Sequence, residues 1–388
     1  MTTWTPNPRP GSRTGGQKAT WEASLHASEI RERLERMRIR GERADQVMWL
    51  ASSLHREGYI LPANHAVALT GALHTAQIIM LSGTPGCGKT WLATCLNEVF
   101  SKGLPLLKVE GHEAVTLESL LYEVDETSLR LFLETAPRLP GAGESADWFG
   151  LADEARRRFI HHGPIIQSIE YGAEHHTRRV LLIDELDKFK GSSEAFLLSF
   201  LNDFSVSISH LDRYFKPKPG EEPIVIVTKN ESRQIMQPTQ RRCVVFPVTT
   251  PTILEEDEIL CQKVPELHPL CRYFLLLLVY RIRSESLGLE KPVSISEAID
   301  LAEAIAHLEP DGISLELVED HVVYLAKNAA DQHTLGRKIA MCYRWAEELL
   351  RPTGGDLGLA YRILMVHNEQ QRDARQKREG SIRLRTSA

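Results

Sequence analysis

The sequence predicts an α/β fold, a parallel five-stranded sheet flanked by helices, followed by an all-helical domain. Three observations predict it. Short apolar runs recur between long helical stretches as far as residue 249. One of these runs opens directly onto a glycine-rich loop and a helix. Beyond Thr250 only helical periodicity is found. Strands buried on both faces of a parallel sheet read as continuous apolar runs rather than alternating ones, which is the pattern here.

Residues 1–20 are rich in Pro, Gly, Ser and Thr and carry Arg9, Arg13 and Lys18 without an acid, the composition of a disordered arm. Residues 21–60 form a charged helical segment. There Glu29–Arg33 and Glu32–Arg36 are i,i+4 pairs suited to a solvated helix, with a partner-binding arm as the alternative. Residues 61–249 make the α/β domain. Its strands are Gln77–Leu81, Leu106–Val109, Val180–Ile183, Ile224–Thr228 and Cys243–Val248, with helices at 65–76 and Thr90–Ser101.

Residues 250–352 make the helical domain, with helices at 252–263, 267–284, 294–307, 315–327 and 333–350. Ser294 and Ser314 are the expected N-caps, and Pro292 and Pro310 punctuate the breaks. The apolar run Phe274–Tyr280 is its core helix. Residues 353–388 add one amphipathic stretch and a basic tail carrying Arg372, Arg375, Lys377, Arg378, Arg383 and Arg385, read as a solvated, disordered end.

Composition narrows the classes. With 388 residues, 42% hydrophobic and 25% charged, the chain can bury a substantial core without staples. A net charge of −6 disfavours nucleic acid or an anionic membrane as the partner of the bulk surface. The six cysteines are scattered without metal or disulfide spacing. The start lacks a signal-peptide apolar region, and the longest apolar run is too short to span a bilayer. The expected location is the cytoplasm, without membrane insertion. His161-His162 and His175-His176 lack supporting ligand spacing and are not read as a metal site.

The chemistry is carried by two segments. Gly83-Thr84-Pro85-Gly86-Cys87-Gly88-Lys89-Thr90 fits G-x-x-x-x-G-K-[ST] with a strand before it and a helix, opening through Trp91, after it. Glycines let backbone N–H groups converge on phosphates, and the helix N-terminus adds partial positive charge there. Lys89 is expected on the β- and γ-phosphates, and the Thr90 hydroxyl on Mg²⁺. Val180-Leu-Leu-Ile-Asp184-Glu185 ends an apolar strand in two carboxylates at the ligand-binding edge of a parallel sheet. Asp184 is the expected second metal ligand, and Glu185 the base that polarises water. The implied cofactors are ATP and Mg²⁺. Asn230, after the fourth strand, can orient that water, or is a turn residue. Arg241-Arg242, before the fifth, can supply a trans-acting arginine, or is a surface basic pair.

This order of motifs resembles AAA+ ATPases, and more closely the CoxD-like branch of MoxR-type ATPases. Leu121-Tyr-Glu-Val-Asp125, Gly163-Pro-Ile165, Asp184-Glu-Leu-Asp-Lys188, Glu194-Ala-Phe-Leu-Leu198, Leu201–Ile208 and Gln240-Arg-Arg-Cys243 carry the likeness, which covers residues 60–250 well and the helical domain loosely. It implies a P-loop AAA+ fold with a helical lid and a hexameric ring with ATP at each interface. Arg242, or else Arg241, would reach across that interface. It also implies chaperone-like maturation of a protein complex together with a von Willebrand A domain partner. One departure is Ser296, where many AAA+ lids carry a γ-phosphate-sensing Arg. The alternative is a nucleotide-gated assembly scaffold of a bacterial signalling or defence system. A GTP-using nucleic-acid translocase is disfavoured by the acidic balance.

Overall fold

Three short apolar runs, at 78–82, 180–184 and 224–229, are buried almost throughout and form the middle of one sheet, with the more exposed runs at 107–110 and 243–247 on its edges. The computed structural model describes residues 25–75, 78–101, 103–135, 158–208, 213–230, 235–284, 287–308 and 312–386. The arm expected at 1–20 lies outside them. Among the described residues the strands are β1 (Ile78–Ser82), β2 (Leu107–Glu110), β3 (Tyr122–Val124), β4 (Ile160–His162), β5 (Val180–Asp184), β6 (Val206–Ile208), β7 (Arg213–Phe215), β8 (Ile224–Lys229) and β9 (Cys243–Pro247). The central sheet runs β2-β5-β8-β1-β9 with every neighbouring pair parallel. Each of the five predicted strands is present, with no boundary shifted by more than one residue. The antiparallel pairs β3–β4 and β6–β7 are three residues per strand, too short to register as periodicity.

Register sets the functional edge. Glu110 stands opposite Asp184, Ile183 opposite Val227, and Ser82 opposite Lys229. The C-terminal ends of β2, β5, β8 and β1 therefore finish at one level, so that the segments leaving them emerge side by side.

The chain divides into two compact units, residues Met1–Glu57, Leu61–Gly83 and Lys89–Pro247, and residues Gly58–Ile60, Thr84–Gly88 and Val248–Ala388. In the first, α1 (Leu25–Arg36), α2 (Glu42–Arg56) and α3 (Ala63–His74) precede the sheet. The charged segment expected as one solvated helix is α1 and α2, broken where Arg38 and Gly41 take positive φ (57° and 63°). Both helices are amphipathic: Ile30, Leu34, Leu50 and Leu54 are buried, while the Glu32–Arg36 pair stays exposed at 3.8 Å. Dense surface charge concealed an apolar face that packs on α3.

Among the described residues the remaining α-helices of this unit are α4 (Lys89–Phe100), α5 (Leu117–Leu121), α6 (Glu126–Thr135), α7 (Pro164–His175), α8 (Gly191–Asp203) and α9 (Gln237–Arg241). On one side of the sheet Met80, Ile183 and Val227 meet Ile165, Leu197 and Phe200 in a continuous core.

The second unit is built from α10 (Ile253–Lys263), α11 (Pro269–Ser284), α12 (Ile295–His307), α13 (Leu315–Asp320), α14 (Val322–Leu325), α15 (Ala329–Leu350) and α16 (Leu357–Thr386). Residues 274–279 of α11 are buried on every side, as an all-apolar helix requires. Capping boxes at Thr252–Glu255 and Ser294–Glu297 start α10 and α12, and the Ser314 side chain caps α13. The expected helix 315–327 is two short ones, and α15 starts at the Asn328 cap rather than at 333. The basic tail, expected as a disordered end, continues α16 to Thr386. Among the described residues no helix is long and apolar enough to cross a membrane.

Phe200 is fully buried and packs edge-on to Phe204 with ring centroids 5.8 Å apart. Phe200→Ala is expected to cost about 3–5 kcal/mol, read as a lower denaturation midpoint in thermal or urea unfolding.

Candidate functional site

The ends of β5 and β8 bring the two predicted carboxylates together with partners that the motifs do not contain. Asp184 is buried at the end of β5. Its Oδ1 accepts from Thr228 Oγ1 at 2.5 Å, and Thr90 Oγ1 lies 3.3 and 3.4 Å from its two oxygens. The Lys108 ammonium stands 3.0 Å from Oδ2. Thr228 serves twice, since its hydroxyl also accepts from the Glu185 backbone N–H at 2.9 Å. Desolvation lowers the Lys108 pKa, but hydrogen bonding and attraction to Asp184, reinforced by Glu110, outweigh it and hold the pKa above the usual lysine value.

Glu185 sits in the left-handed region at φ 52°, a conformation that costs a side-chain-bearing residue about 1–3 kcal/mol and persists only where its surroundings enforce it. They do so here. Its N–H is held by Thr228, its carbonyl accepts from Lys188 N at 2.9 Å, and both side-chain oxygens are engaged. Asn230 Nδ2 donates to Oε1 at 3.1 Å and Lys188 Nζ to Oε2 at 2.5 Å. That contact raises the Lys188 pKa. The Asn230 backbone N–H is fixed in turn by Asp187 Oδ1 at 3.1 Å.

Gly111 closes the same corner. Its N–H donates to the Asp184 carbonyl at 2.8 Å, and a Cβ there would overlap the Glu185 carbonyl oxygen and the Phe189 ring. Only glycine lets the chain leaving β2 approach the turn after β5 so closely.

The glycine-rich loop follows β1. Gly86 and Gly88 have φ of 76° and 95°, and α4 begins at Lys89, directly after the loop. Lys89 is buried and donates to the Gly83 carbonyl at 2.8 Å. Thr84–Gly88 group with the second unit, in which a Cβ on Gly86 would overlap the Ser294 side chain. Cys87 is buried and Trp91 is exposed. The Thr90 hydroxyl and the Asp184 carboxylate are hard oxygen donors side by side, and a cationic group already stands at Asp184. The site therefore suits Mg²⁺.

Arg241 and Arg242 are both exposed at the end of α9. The Arg242 guanidinium is held by Asn202 Oδ1 through two contacts of 3.3 Å and by the Pro238 carbonyl at 3.1 Å. Glu194, a buried carboxylate on α8, accepts from Met236 N at 2.8 Å and lies 3.5 Å from Thr239 Oγ1, pinning the start of α9. Burial pushes the neighbouring Cys243 thiol up to about 12 against the lowering influence of Arg242, which keeps it protonated. His162 and His176 pair with Glu170 and Glu221 at 2.7 and 2.8 Å. Among the described residues no group of three or more metal-ligating side chains gathers.

Lys108, Gly111 and Thr228 carry no role in the sequence analysis, and Lys188 and Glu194 enter it only as members of segments that carry the family likeness. Lys108 and Thr228 lie inside recognised strands, where a polar residue among apolar ones was the available signal. Gly111→Ala is expected to lower the thermal midpoint more than Gly191→Ala, whose added Cβ meets open space. Thr228→Val should lower the midpoint by leaving the Glu185 N–H unpaired, with a cost of about 1–3 kcal/mol. An unchanged midpoint in unfolding scans would exclude that role.

Comparison with known proteins agrees with this construction. Residues 79–248 match the AAA family, described as the ATPase family associated with various cellular activities. No curated protein matches the chain. Solved structures that it resembles include a mutant of Thermotoga maritima RuvB, at 18% identity and TM-score 0.40, covering 75% of this chain and 80% of that one. Another is the Thermotoga maritima RuvB Holliday junction branch migration motor, at 18% identity and TM-score 0.38, covering 72% and 75%. At those values the likeness carries no argument about activity. The fold, the motif order and the match over residues 79–248 together identify that part of the chain as an AAA ATPase domain.

Proposed function

We propose that this protein hydrolyses ATP with magnesium and uses turnover to remodel or mature a protein complex. The observation that carries the catalytic part is Glu185 held by Asn230 at 3.1 Å, beside Asp184 and Thr90. Glu185 acts as the base that takes a proton from the attacking water, and Asn230 orients it. Lys89 and the loop N–H groups bind the phosphates. Thr90 and Asp184 would hold magnesium, which would supply charge neutralisation at the phosphate oxygens. Residues 61–249 form the nucleotide-binding domain and 250–352 the helical lid.

Exposure of Arg242, steadied by Asn202, supports a role in trans on the nucleotide of a neighbouring copy. We place Arg241 second for that role. The ring, six-membered by the sequence resemblance, its cytoplasmic location and the von Willebrand A domain partner belong to the same proposal. A second reading, the nucleotide-gated scaffold, is favoured by one feature: both Glu185 oxygens are engaged within the chain, so turnover waits on their release.

Glu185→Gln is expected to bind ATP as the wild type does and hydrolyse it at least about a hundredfold more slowly, measured as steady-state phosphate release beside nucleotide binding. Retained turnover removes Glu185 from its role. Arg242→Ala should bind ATP but lose turnover, and mixing it with Lys89→Ala should restore activity if sites are shared between copies. Turnover that stays negligible for the wild type while ATP still drives assembly favours the scaffold.

A further inference from the structure

Lys108 lies on β2 beside β5, opposite Leu182 in the register, and its ammonium stands between two carboxylates. Asp184 Oδ2 is at 3.0 Å and Glu110 Oε2 at 3.4 Å. Glu110 is two residues further along the strand and therefore on the same face. The two acids are not equivalent. The Asp184 side chain is 10% exposed and that of Glu110 is 64% exposed, so the lysine compensates a buried charge on one side and meets a solvated one on the other. Asp184 Oδ1 takes the short Thr228 hydrogen bond, the Thr90 hydroxyl stands at the long distances of 3.3 and 3.4 Å from the two oxygens, and the near partner of Oδ2 is the Lys108 ammonium.

We infer that Lys108 is the resident counter-ion of Asp184, that a divalent metal entering the site displaces it, and that Glu110 receives the displaced ammonium. The inference rests on the reading of Asp184 as a metal-holding carboxylate. Two like charges cannot share one carboxylate oxygen without mutual repulsion, so metal affinity is set by competition with Lys108. Because Glu110 already lies within reach, release needs only rotation at the end of the lysine side chain. Lys108 is thus a positioning residue that keeps Asp184 ordered in the metal-free protein and weakens metal binding to a level that can be reversed.

The test titrates Mg²⁺ into the full-length protein with a fluorescent ATP analogue held constant, for wild type, Lys108→Met and Glu110→Gln. Lys108→Met is expected to bind Mg²⁺ about fivefold more tightly, the scale of a partly exposed ion pair. Its affinity for the analogue in EDTA should be unchanged, and Glu110→Gln should bind Mg²⁺ more weakly. Equal or weaker Mg²⁺ affinity in Lys108→Met overturns the inference. So does a loss of analogue affinity in EDTA, which would make Lys108 a phosphate ligand. Thermal melts without nucleotide on Lys108→Met, Asp184→Asn and the double variant examine the pair itself: non-additive midpoints are expected, and additive ones overturn it. If the wild type binds no analogue, the nucleotide reading falls. The melts, repeated with Mg²⁺ alone, then decide the displacement: greater Mg²⁺ protection of Lys108→Met than of wild type supports it, and equal protection overturns it.

Discussion

Asp184 ends a strand whose side chains are all buried, so its carboxylate must find compensation from protein groups instead of water. A buried carboxylate without donors costs several kcal/mol, and much of the surrounding architecture can be read as the answer to that constraint. β8 supplies Thr228, α4 supplies Thr90 and β2 supplies Lys108. The strand order β2-β5-β8-β1 is what puts these three elements within reach, because it seats β5 between the lysine-bearing and threonine-bearing strands and brings the start of α4 alongside.

The same corner explains the backbone of Glu185. The chain has to turn sharply after β5 to start a short helix at Leu186, and it does so through a left-handed residue that carries a full side chain. The conformation is sustained by Thr228 on its N–H, by Lys188 and Asn230 on its carboxylate, and by the bare Cα of Gly111 against its carbonyl. A residue so completely specified by its neighbours is pre-organised, and its side chain is held in place next to Asp184.

Helix α8 carries this order outward. Glu194 on its inner face fixes the start of α9, while Asn202 near its end holds the Arg242 guanidinium. A single helix thereby braces both ends of the short segment that carries the exposed arginines, and the same helix follows directly from the turn containing Glu185. The buried Glu194 Oε1 accepts from the Met236 N–H at 2.8 Å and lies 3.5 Å from the Thr239 hydroxyl, and through these contacts it buttresses α9.

The sequence by itself determined the five strands of the central sheet, the glycine loop and the carboxylate pair. Each rests on local chemistry: continuous apolar runs, glycines at positive φ, and acids at a strand end. Helix starts at Thr252, Ser294 and Ser314 likewise depend on side chains within a turn of one another. Tertiary structure alone decided the rest. Dense charge in residues 21–60 masked the apolar faces of α1 and α2, because burial of a face depends on what packs against it. Lys108 and Thr228 acquired their meaning only when β2, β5 and β8 came together, and the role of Gly111 is visible only through the atoms that a Cβ would strike. Contacts between residues roughly 40 to 100 positions apart are made by strand order, and strand order is not written in any local pattern.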